Sequence, residues 1–181
     1  MKNNFIWGFD ISTSIIGLSG LDGQGNLILY DNIDLRKYKD FFLKMDQVEK
    51  HMSNYYKKGQ FKSGHIFIEA PFSFFRGGAS TAQTMAKLQR FNGAVSWMLK
   101  DRTGIVPKYI FPAKARNLCG IKIPRGEKAK KVVMEHLKTN EPLFNIEYTR
   151  AGNPRPCFFD MADAIVIARA GRKIISEGLD D

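Results

Sequence analysis

Histidine and cysteine are scarce, with three His and two Cys in 181 residues. Cys119 and Cys157 have no C-x-x-C spacing, which argues against a disulfide framework and against a zinc site. Such cysteines most often serve as small buried residues. His51, His65 and His136 are scattered, without ligand spacing. Long apolar runs are missing too. The longest are of the size of residues 164–168, far short of the roughly eighteen needed to span a bilayer, so no membrane partner is expected. There is no internal repeat, linker or low-complexity segment. The opening Met1-Lys2-Asn3-Asn4 runs straight into a strand-like segment, without the apolar core and cleavage site of a signal peptide. The expectation is a cytoplasmic protein.

What is present fits one folded domain over residues 1–181: 44% apolar and 25% charged residues. The net charge is +10. A basic balance of that size points to a polyanion, nucleic acid before membrane surface. Residues 100–138 concentrate it, with eleven Lys and Arg against Asp101, Glu127 and Glu135. The plainer reading of that run is a solvated basic face.

Apolar runs bounded by polar or small residues predict strands over Phe5–Ile11 and Ile15–Leu21. A third, over residues 26–33, follows the turn signal Gly23-Gln24-Gly25. Phe41, Met45, Val48 and Met52 recur at helical spacing within residues 37–57. A short buried strand is expected at 65–69, stopped by Pro71. Ser80 and Gln83 have capping-box spacing for a helix reaching about Lys100. Further expectations are a strand at 107–111, a helix at 128–138, a proline-rich loop at 141–157 and a helix at 160–175. That last helix is apolar nearly all round, so it should be packed on most sides. The order predicts an α/β domain with a mixed five-stranded sheet, an antiparallel meander followed by parallel strands, flanked by helices.

Four carboxylates stand out. Asp10 lies inside the first strand and Glu69 ends the apolar strand Ile66-Phe67-Ile68-Glu69, while Asp160 and Asp163 begin the last helix. Carboxylates resist burial unless paired or bound to a cation. Each has a bland alternative. Asp160 could be a helix N-cap with Asp163 favouring the helix dipole. Asp10 could begin a turn, and Glu69 could pair with a lysine. Taken together, two strand acids and an i, i+3 pair on one side of a helix make a constellation. A divalent cation would remove their mutual repulsion. Magnesium takes a few carboxylates and leaves the rest of its shell to water and phosphate.

The segment Asp10-Ile11-Ser12-Thr13-Ser14-Ile15-Ile16-Gly17 resembles the opening strand and turn of the RuvC family of Holliday-junction resolvases. Ile68-Glu69-Ala70-Pro71-Phe72 resembles its second acidic motif. Asp160-Met161-Ala162-Asp163-Ala164 looks like its terminal D-x-A-D-A motif. The set spans nearly the whole chain in the family's order. Residues 141–158 depart from it, being longer and richer in proline, and so does the loop 72–78. The chain looks most like a bacteriophage version of the family, which would place it in host cytoplasm.

The resemblance implies a ribonuclease H-like fold. It also implies a metal-dependent, structure-selective endonuclease that cuts Holliday junctions and other branched DNA, leaving 5′-phosphate and 3′-hydroxyl ends. Asp10, Glu69, Asp160 and Asp163 would be the catalytic metal ligands, holding two Mg²⁺ about 3.5–4 Å apart, with Mn²⁺ as a substitute. Lys114 and Lys128 fall where the family carries basic residues near the scissile phosphate. Arg116, Lys122, Arg125, Lys130 and Lys131 would add phosphate contacts. Phe72, Phe74, Phe75 and Arg76 follow the second acid. They read either as core residues turned inward or as a wedge that stacks on bases at a branch point. Ser12, Ser14 and Gly17 would let the backbone approach nucleic acid, or serve turn chemistry alone. Two symmetric cuts imply a homodimer, with residues 85–99 as a candidate interface. Alternatives are a nuclease of the same fold acting on RNA or RNA–DNA hybrids, and a catalytically silent nucleic-acid-binding module. A sugar-kinase-like ATPase shares the early strand Asp, but the second Gly-rich phosphate loop and the larger chain it needs are missing.

Overall fold

The computed structural model describes residues 5–57, 64–71 and 82–179. The elements are β1 (Phe5–Ile11), β2 (Ile15–Leu21), β3 (Leu27–Asp34), α1 (Phe41–Lys57), β4 (Gly64–Glu69), α2 (Ala82–Thr103), β5 (Lys108–Ile110), α3 (Pro112–Leu118), α4 (Ala129–Asn140) and α5 (Cys157–Glu177). They form one five-stranded sheet in the order β3-β2-β1-β4-β5. The β1–β2 and β2–β3 pairs are antiparallel, and β1–β4 and β4–β5 are parallel. This is the mixed sheet expected from the sequence.

Central β1 is covered on both faces, which is why its sequence lacks a polar alternation. Trp7, Phe9 and Ile11 join Ile16, Leu18, Ile66 and Ile68 in one core layer. Helices α1 and α2 close it with Val48, Met52, Phe91, Val95 and Leu99. On the opposite face Ile6, Leu21 and Phe67 meet α5, backed by Ala115 of α3 and by Val133 and Leu137 of α4. Helix α5 buries eleven of its residues, as its apolar circumference required.

Small residues let α5 lie very close to the sheet. A Cβ added at Gly8 would stand 2.2 Å from the Ala164 carbonyl oxygen, and one at Gly17 only 2.0 Å from that of Asp160. Ser19, the partner of Gly8 across β1 and β2, donates its buried hydroxyl to the Ala164 carbonyl at 2.9 Å.

Three local expectations change. Helix α1 starts at Phe41 because the Asp40 carboxylate accepts from the Phe42 and Leu43 amides at 2.8 and 3.0 Å, as an N-cap does. Helix α5 starts at Cys157, with Pro156 as its N-cap. Asp160 is therefore not the cap. It sits a turn inside, and the buried ring of Phe158 anchors the earlier start against Phe144. The seven-residue helix α3, opened by Pro112 at its first position, was not anticipated. Residues 141–156 are a loop as expected, tied down where Arg169 donates to the buried carboxylate of Glu141. Ser80 lies outside the described residues, so the expected capping box does too.

Candidate active site

The four acids converge because the adjacent central strands β1 and β4 end side by side and α5 begins over those ends. In the β1–β4 register Phe9 pairs with Ile68. Asp10 and Glu69 are the next residues of the two parallel strands, so they come side by side and share the face that carries α5. Across the antiparallel pair, Asp10 stands opposite Gly17. The space a side chain would take at Gly17 is filled by the backbone of Asp160. A missing side chain on β2 thus sets the first turns of α5 over Asp10, and the i, i+3 spacing places Asp163 on the same side. Ser12 secures the connecting turn. Its hydroxyl donates to the Ile15 carbonyl at 2.7 Å and accepts from the Ile15 amide at 3.0 Å.

The electrostatics record this crowding. Burial, then repulsion from Glu69, Asp163 and Asp160, holds the Asp10 carboxyl well above the usual carboxylate range. Burial and then Asp163 push Glu69 up to about 8. Burial, with Asp160 adding to it, pushes Asp163 up to about 6, against the pull of Lys130 and Arg116. Lys130 enters the cluster directly. Its Nζ lies 3.0 Å from Asp160 Oδ1 and 3.7 Å from Asp163 Oδ2. Burial works to lower the Lys130 ammonium, but Asp160 and Asp163 outweigh it and raise it above its ordinary value.

The expected basic residues divide into two groups. Lys130, expected on DNA, reaches the acids themselves. Arg116 on α3 is near enough for its charge to favour ionised Glu69 and Asp163. Lys114, Lys122, Arg125, Lys128 and Lys131 are exposed on α3, the following loop and the start of α4. Phe72, Phe74, Phe75 and Arg76 lie outside the described residues. Sequence reasoning missed Arg36. It forms a two-pronged ion pair with Asp34 on the β3–α1 connection, and that pairing is what raises its guanidinium above its ordinary value. Its signal was the D-x-R spacing at the end of a strand. His51 has no place at the site. It pairs with Asp31 Oδ2 at 2.7 Å, which also accepts from Tyr55.

Four carboxylates are a hard oxygen donor set of the kind that Mg²⁺ or Mn²⁺ prefers. The raised proton affinities of Asp10, Glu69 and Asp163 come from burial first and then from mutual repulsion, which a divalent cation would relieve. By chemistry the residues fit such an ion. Among the described residues no three Asp, Glu, His or Cys side chains are grouped to hold a metal as they stand, and two of the acids engage Lys130.

The backbone is similar to two solved structures. One is "T. thermophilus RuvC in complex with Holliday junction substrate", with a TM-score of 0.63 at 16% identity over 97% of this chain and 96% of that one. The chain has a RuvC-like fold. The second, "Thermus thermophilus RuvC structure", gives 0.62 at 19% identity over 96% of both chains. No protein-family model matches the sequence, and no curated protein matches it. The RuvC-like fold is the ribonuclease H-like mixed sheet with flanking helices that the sequence predicted. None of the described helices is long and apolar enough to cross a membrane.

Proposed function

We propose that this chain is a metal-dependent endonuclease that resolves four-way DNA junctions. The observation that carries the reading is the convergence of Asp10, Glu69, Asp160 and Asp163 from β1, β4 and α5 at one edge of a RuvC-like fold. A solved structure of that fold is complexed with a Holliday junction.

In this reading the four acids hold Mg²⁺, for which Mn²⁺ substitutes. Bound divalent ions supply charge that eases ionisation of the attacking water and stabilises the leaving oxygen. The protein's own groups do the rest. Asp10 and Glu69, fixed on adjacent strands, set the floor of the site. Asp160 and Asp163 are held over them by the close contact of α5 with Gly17. Arg116 brings positive charge to the edge where a phosphate would lie, and pre-placed charge of this kind stabilises a transition state without reorganisation. Water adds to phosphorus and the P–O3′ bond breaks. The 3′ oxygen takes up a proton, leaving a 5′-phosphate and a 3′-hydroxyl. Lys114, Lys122, Arg125, Lys128 and Lys131 give sequence-independent grip on the backbone, and Phe72, Phe74, Phe75 and Arg76 read the branch. Two chains act as a symmetric dimer, one on each strand to be cut. Support for an interface beside α2 comes from Trp97 and Phe42, each 67% exposed, since Val95 and Leu99 are used inside the fold.

The test is cleavage of a synthetic four-way junction with Mg²⁺ or with chelator, beside matched linear duplex and RNA–DNA hybrid. Mg²⁺-dependent cutting of the junction is expected. Asp163→Asn should abolish cutting while leaving junction binding within about threefold, because binding rests on the basic surface. Preference for the hybrid would favour the RNA-directed alternative. Binding without any cutting would favour a silent module.

A further inference from the structure

We propose that Lys130 is a resident counter-ion of the carboxylate cluster, which a divalent cation must displace before the site is loaded. The inference rests on reading the four acids as a metal site.

Lys130 bridges two acids rather than pairing with one, at 3.0 Å from Asp160 and 3.7 Å from Asp163. Both ion pairs described for these aspartates are with this lysine. Its side chain is 56% exposed, whereas those of Asp160 and Asp163 are 15% and 13% exposed. The ammonium therefore reaches inward from solvent on a flexible stem. It can swing out without disturbing the core.

The position is also unfavourable by local rules. Lys130 is the second residue of α4, which has no acid in its first turn and no side-chain cap. Cations are disfavoured at the positive end of a helix, and Lys131 follows immediately. The favourable partners of Lys130 are the aspartates on another helix. A locally costly residue offset only by tertiary partners is the pattern expected at a functional position.

The ammonium carries one charge and donates hydrogen bonds, but it cannot ligate. It keeps the two aspartates from repelling each other while no divalent ion is bound. A divalent ion offers twice the charge at the same oxygens and competes directly. Once displaced, Lys130 stands at the mouth of the site, on the side from which a phosphodiester would arrive.

The experiment is Mg²⁺ calorimetry on the full chain at about pH 9, above the value of about 8 for Glu69. Wild type, Lys130→Met and Lys130→Arg are compared. Lys130→Met removes the competitor and should bind Mg²⁺ three- to tenfold more tightly, ~0.7–1.4 kcal/mol at 1.4 kcal/mol per decade. It should also melt at a lower temperature than wild type in chelator. Lys130→Arg keeps a cation and should stay close to wild type. A second readout needs no variant: the Lys130 side-chain NMR signal should move toward that of a free lysine as Mg²⁺ is added. If wild type and Lys130→Met bind equally, or the variant binds more weakly, the displacement idea fails while the metal site stands. A Lys130 signal that stays fixed during saturable binding also overturns it. Absence of Mg²⁺ binding in every protein would instead overturn the reading of the acids as a metal site.

Discussion

Glu69→Gln should stabilise the metal-free protein, and increasingly so as pH rises. The carboxyl of Glu69 moves from an ordinary 4.5 to about 8 on folding. The folded chain thus binds a proton more tightly than the unfolded chain. Such a group contributes fully to stability below the unfolded value, and that contribution is lost as pH rises through the folded value. From those two values, Glu69 lowers stability by roughly 1 kcal/mol at pH 5 and by up to roughly 5 kcal/mol at pH 8.5. The second figure is a ceiling. Burial is the largest cause of the shift and Asp163 the next, and the repulsion from Asp163 is shared between the two residues. Gln is neutral throughout and should escape the penalty. For a chain of this size each kcal/mol is worth roughly 2–4 °C, so the variant should gain up to roughly 10–20 °C over wild type at pH 8.5 and only a few degrees at pH 5. Differential scanning calorimetry in chelator at both values is the assay. Saturating Mg²⁺ should then raise wild type more than the variant, since a ligand that binds only the folded state stabilises it. Parallel pH profiles for the two proteins in chelator would refute the reasoning, because they would mean that Glu69 is not buried among like charges.

Gly17→Ala should cost about 1–3 kcal/mol or more, since the new Cβ meets the Asp160 backbone at 2.0 Å. Chemical denaturation would measure the loss, and cleavage should fall further than stability as α5 is pushed away. Lys128→Ala with Lys131→Ala should weaken binding to junction and linear duplex alike, and should flatten the slope of log affinity against log salt by about 1.8 if both lysines contact phosphates. An unchanged slope in fluorescence anisotropy would remove them from the DNA path. Phe72→Ala should reduce the preference for junction over duplex by about tenfold while sparing duplex binding, since one base–aromatic stack is worth roughly 1–3 kcal/mol. A variant that fails to fold would assign Phe72 to the core.

The sheet was readable because each strand is a short apolar run closed by turn residues, and the acids because they interrupt such runs. Asp10 and Glu69 were conspicuous for being charged where their neighbours are buried. Other features had no local signature. Helix α3 is seven residues long, too short for an apolar period, and only Pro112 announced it. The start of α5 was misplaced because Pro154 and Pro156 look like loop residues, although a proline also suits the point where a helix begins. Among Lys128, Lys130 and Lys131, nothing in the sequence tells which one reaches the acids. That choice is made by how α4 lies against α5, thirty positions further on. The Arg36–Asp34 ion pair was overlooked too, because its D-x-R spacing falls in a connection that carries no apolar pattern.

The contact of Gly8, Gly17 and Ser19 with α5 has a consequence for how such a site could be altered. At Gly8 and Gly17 main chain rests on main chain, and Ser19 adds only a short hydroxyl contact, so the spacing between strand acids and helix acids is set by backbone thickness rather than by bulky side-chain fit. Replacing apolar residues elsewhere around α5 would change how firmly the helix is held, but not its standoff from the sheet. Activity and stability should therefore be tunable separately in this protein. Libraries built on the outer side of α5 can explore robustness freely, whereas the three small positions beneath it act as a fixed gauge block.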